Sequence, residues 1–77
     1  MALSQAVKDS INAELERQGV SMRELARRVG MGQQYLWRRV STHERAGKEL
    51  TPSELERVAA ALGVPVARLL RDLARAS

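Results

Sequence analysis

Between two stretches of helical spacing the chain leaves only three residues, Gly30, Met31 and Gly32. A connection that short holds the flanking helices at a fixed, steep angle. The helix before it begins at "VSMRELA". Ser21 is placed to cap the backbone N–H of Glu24, and Glu24 to reach back to Ser21, which is a capping box with Val20 and Leu25 as its hydrophobic staple. Leu25, Ala26 and Val29 then face inward with Met22 at their edge, and Gly30 ends the helix after about two turns. Gly32 is the expected cap of the next helix, from about Gln33 to Ser41, and Met31 the turn residue tucked into the core.

The remainder also reads as helix. Leu3, Val7, Ile11 and Leu15 recur on one face, with Lys8, Asp9, Asn12 and Glu16 on the other, and Gly19 stops the segment. A second box opens "LTPSEL": Thr51 as cap, Pro52 at the first helical position, Glu54 as box partner, Leu50 and Leu55 as staple. Leu55, Val58, Ala59 and Leu62 line one face of that helix as far as Gly63. Pro65 opens a fifth helix to about residue 75, with Val66, Leu69, Leu70 and Leu73 inward. "STHERAGKE", from Ser41 to Glu49, is a polar loop. The expected fold is all-α: a compact five-helix domain spanning 1–77, with helices at about 3–18, 21–41 (the central pair), 52–62 and 65–75. At 77 residues without cysteine or phenylalanine, its core must come from many aliphatic contacts.

Charge is concentrated around the central pair. From Arg23 to Arg39 five arginines face one acid, Glu24, so this window carries the chain's whole net charge of +4. Such a stretch suits a phosphate-bearing partner. No apolar run approaches the ~20 residues that cross a bilayer. No apolar signal region opens the chain either, so a cytoplasmic protein with no membrane association is expected. His43 is a lone loop histidine without metal partners, and no metal or cofactor site is expected. Glu14, Glu16, Glu54 and Glu56 fall on helix surfaces beside basic neighbours, which gives enzymatic chemistry no support.

The third helix presents a distinctive face. At about 100° per residue, Val40 lies about 40° from Leu36, while Gln34 and Arg38 both lie about 160° away, one on either side. Leu36 and Val40 therefore define the core side; Gln34, Arg38 and Ser41 point outward, flanked by Trp37 and Tyr35. Gln33 lies nearer the core side, but in the exposed first turn. Glutamine can pair with adenine N6 and N7, arginine with guanine O6 and N7, and an α-helix fits the major groove of B-DNA. The helix before it would cross the phosphates with its first N–H groups and Arg23. Arg39 is suited to a phosphate or to an internal ion pair. Arg27 and Arg28 read as solvated surface. Trp37 either meets DNA or packs under the long loop, and Tyr35 either edges the reading face or covers the second helix and donates to a backbone carbonyl.

The segment "VSMRELARRVGMGQQYLWRRVS" resembles the helix-turn-helix of the Cro/repressor class of phage and bacterial transcription regulators. "ELERVAAALGVPVARLL" resembles the fourth and fifth helices of that class, so the resemblance runs from about Leu3 to Leu73. It implies a lambda-repressor-like fold and a prokaryotic regulator of double-stranded DNA. Base contacts would come from Gln33, Gln34, Trp37 and Arg38. Phosphate contacts would come from Ser21, Met22 and Arg23, and from Arg45 and Lys48 in the loop. It also implies a homodimer on half-sites ~34 Å apart, weak or monomeric when free, with the end of the fifth helix (Leu73, Ala74, Ala76) and the loop as candidate dimer surfaces. The chain departs from the class in three places. Met22 leaves only its backbone N–H for a phosphate, Trp37 stands where a smaller polar residue is usual, and the loop from Thr42 to Glu49 is long. The loop either follows the DNA backbone or meets a partner protein.

A second reading is a protein-interaction module, such as an antitoxin, with Trp37 as its anchor. RNA binding is weaker, because the aromatics form no stacking platform.

Overall fold

Each described helix supplies part of one aliphatic centre. In the computed structural model, which describes residues 3–70 and their side chains from residue 5, α1 spans Leu3–Gln18, α2 Met22–Val29, α3 Gln33–Val40, α4 Pro52–Leu62 and α5 Val66–Leu69. Ile11 of α1, Leu25 of α2, Leu36 and Val40 of α3, Val58 of α4 and Leu69 of α5 are fully buried, with Leu15, Ala26, Val29, Ala59 and Leu62 around them. Helix α2 packs against α3 and α4, and α1 packs against α3 and α5. Burying one such side chain stabilises by about 1.5–3 kcal/mol, against about 0.5–1.5 kcal/mol for a typical hydrogen bond. The aliphatic centre therefore holds the fold, and polar contacts set how its helices are oriented.

The expected helix ends take shape with three corrections. Gly30 has φ 74° and its N–H returns to the carbonyl of Ala26, so glycine is what lets α2 stop there. Thr51 and Glu54 form the full capping box. At the start of α2 only half of one forms: the Ser21 hydroxyl accepts the Glu24 N–H at 3.1 Å, while the Glu24 carboxylate turns to Arg27 and Arg28. Two guanidinium groups within one turn outcompete a single amide for that carboxylate. Helix α3 ends at Val40, with Ser41 as its extended C-cap. Pro65 is the N-cap of α5 rather than its first residue. The expected continuation of that helix to about 75, including Leu73, Ala74 and Ala76, lies outside the described residues.

Several polar residues assigned by periodicity to solvent are drawn inward. Lys8 is buried, and its ammonium donates to the carbonyl of Ala46 in the long loop. Asn12 is half-buried and its amide reaches the carbonyl of Val40 at the end of α3. Glu14 is buried, accepting hydrogen bonds from Arg17 and Gln18 and pairing with Arg68 of α5 at 3.3 Å. Arg17 and Gln18 hold its carboxyl below the ordinary value of 4.5. The bonds of Lys8 to Ala46, of Asn12 to Val40 and of Arg68 to Glu14 join segments distant in sequence.

Candidate nucleic-acid interface

The outward face of α3 follows from the burial of its inner one. Leu36 and Val40 are 0% exposed. Gln33, Gln34 and Arg38 are consequently exposed, and Trp37 is half-buried at the border. Gln33, Gln34 and Trp37 line one hollow, and Gln34, Trp37 and Arg38 share a second with Arg45, Gly47 and Lys48 of the loop. The fold thus brings together residues drawn from α3 and from beyond its end.

The loop is tied to α3 by one backbone bond and braced by another within itself. Lys48 N–H donates to the Arg38 carbonyl at 3.1 Å, Ala46 N–H donates to the His43 carbonyl at 2.9 Å, and Ala46 is buried. The Ser41 hydroxyl accepts the His43 N–H, and His43 Nδ1 accepts the Arg45 N–H, both at 3.1 Å. The His43 ring lies 5.7 Å from the Trp37 ring at a tilt of 41°. Trp37 therefore packs beside the loop, as one of its two expectations has it, and also lines both hollows.

The partners of the cations sort them into two groups. Arg27 and Arg28 are exposed but paired with Glu24, and together they pull its carboxyl down to about 2. Arg28 also reaches the Ala61 carbonyl at 3.4 Å. Arg39 lies over the Tyr35 ring at 3.6 Å, donates to the Tyr35 carbonyl and pairs with Glu54 at 3.7 Å, so the internal ion pair claims it. Tyr35 is exposed, and its hydroxyl donates to Glu54 of α4, not to a backbone carbonyl. That bond, with the Thr51 N–H, holds the Glu54 carboxyl below its ordinary value. By contrast the side chains of Arg23, Arg38, Arg45 and Lys48 have no partner among the described residues. Ser21, Met22 and Arg23 stand at the start of α2. Met22 leans onto the core, and the Met22 and Arg23 N–H groups precede the first helical bond, made by Leu25 N–H to the Ser21 carbonyl.

Arg57 joins α4 to the end of α2. Its guanidinium donates to the Val29 carbonyl at 2.6 Å and lies 3.8 Å from where a side chain on Gly30 would start. It therefore secures the last turn of α2 beside the connection to α3. An arginine in mid-helix carries no local signal of such a role; its target is set by how α4 packs on α2.

A helix-turn-helix family model matches residues 11–69, from the middle of α1 to the end of α5. The chain belongs to that family: it is a DNA-binding helix-turn-helix regulator of the Cro/repressor class. Comparison with curated proteins and with solved structures gives no significant match. Among the described residues no helix is long and apolar enough to cross a membrane.

Proposed function

We propose that this chain is a sequence-specific, double-stranded DNA-binding transcription regulator of the repressor or Cro type. Its third helix reads the major groove, and it binds as a homodimer to paired half-sites. Gln33, Gln34, Trp37 and Arg38 take the base edges. Arg23, Arg45, Lys48 and the first N–H groups of α2 take phosphates. The reading is carried by the sorting of the cations: among the described residues, those left without an internal partner stand on α3, on the loop bonded to it and at the start of α2. Arg39 is left out of the phosphate set because Tyr35 and Glu54 occupy it.

The test is a salt titration of binding to duplex DNA. Each phosphate neutralised contributes close to −1 to the slope of log K against log salt, so Arg23, Arg45 and Lys48 together give about −3 per copy of the chain. A chain with no affinity for any duplex at low salt would contradict the reading and favour a protein partner.

A further inference from the structure

We infer that the hollow between Gln33, Gln34 and Trp37 receives the 5-methyl group of a thymine, which makes Trp37 a specificity-determining residue and His43 its positioning residue. The inference rests on the major-groove reading above and goes beyond it by naming the group recognised. Three observations converge. The hollow is lined by two amides and one aromatic ring. The major groove displays a single apolar group, the thymine methyl, always in a pair with adenine, whose N6 and N7 a glutamine amide can take. One hollow is thus equipped for both halves of an A·T pair or of neighbouring ones.

The third observation concerns why the ring stays in place. A half-buried tryptophan at the edge of a helix would ordinarily move between rotamers. Here the His43 ring packs against it. His43 is fixed in turn, because its own N–H donates to Ser41 and its Nδ1 accepts from Arg45. The loop that carries it is tied to α3 by the Lys48–Arg38 bond and to α1 by Lys8. The length of the loop has a function in this arrangement: it carries a second ring to the side of Trp37.

The experiment uses the full chain. Duplexes selected from a random pool are resynthesised with each thymine replaced in turn by deoxyuridine, which removes only the methyl group. One thymine per half-site is expected to weaken wild-type binding about fourfold when replaced, the size of one buried methyl group, and Trp37→Ala is expected to bind both duplexes alike. Trp37 is the chain's one tryptophan, so its emission should respond differently to the thymine and uracil duplexes. His43→Ala should shrink the thymine preference while leaving the dependence on Arg38 intact. The inference is overturned if a specifically bound duplex tolerates deoxyuridine at every position, or if Trp37→Ala keeps the full discrimination. Failure to select any sequence overturns the major-groove reading itself, a distinct result that appears before the uracil series begins.

Discussion

The side-chain amide of Asn12 donates to the carbonyl of Val40 at 2.8 Å, and the same nitrogen reaches the carbonyl of Lys8, also at 2.8 Å. One side chain of α1 thereby closes the last turn of α3, where a helix otherwise leaves its carbonyls unmatched. The end of α3 is fixed from the core side, opposite the surface proposed to meet DNA.

Removing that amide leaves the Val40 carbonyl without its partner. Asn12→Ala should cost about 1–3 kcal/mol. The measurement is urea unfolding, where the midpoint should fall with the slope unchanged. An unaltered midpoint would mean that water satisfies Val40 equally well.

Gly30, in the turn between α2 and α3, and Gly47, in the long loop, make a contrasting pair. A Cβ on Gly30 would meet only Arg57 Nη2, at 3.8 Å, which is ordinary contact, but the backbone there has φ 74°. Gly30→Ala should therefore cost about 1–2 kcal/mol through conformation alone. Gly47 meets nothing within 4 Å and has no positive φ. Gly47→Ala should stay within about 0.5 kcal/mol of wild type or gain slightly from a stiffer unfolded chain. Thermal unfolding of both variants checks the contrast.

Acid should weaken the fold in a defined direction. Glu14, Glu24 and Glu54 all have carboxyls held below their ordinary 4.5, Glu24 at about 2. A carboxyl depressed in the folded state adds stability above its unfolded value and loses it as the pH falls through the folded one. Stability should be level near neutrality and decline from about 4.5 downward. Glu54→Gln loses the charged partner of Arg39 and Tyr35, so the gap between wild type and variant should narrow as the pH falls below 4.5. A gap independent of pH would show that Glu54 acts through packing and not through its charge.

Much of this was legible because it is local. Gly30 and Gly63 stop helices with positive φ, and Thr51 with Glu54 forms the box, since each signal lies within four residues of its effect. The burial of Leu36 and Val40 followed from their spacing, which also turned Gln34 and Arg38 outward. What escaped is tertiary. A helical wheel assigns Lys8, Asn12 and Glu14 by polarity, yet Lys8 and Asn12 find backbone carbonyls far along the chain, and Glu14, held first by Arg17 and Gln18 of its own helix, also pairs with Arg68 of α5. The box at Ser21 failed to complete for a reason within one turn: Arg27 and Arg28 compete for the same carboxylate.

Comparing Arg38→Ala with Arg23→Ala, on one selected duplex and on scrambled duplexes at the same salt, puts the direction of α3 on trial. Arg38→Ala should lose about 1–3 kcal/mol on the selected duplex, little on the others, and relax the preference at one base pair. Arg23→Ala should weaken every duplex alike and reduce the salt slope by about one. If Arg38→Ala binds the selected duplex as wild type does, the outward face of α3 is not what reads the sequence.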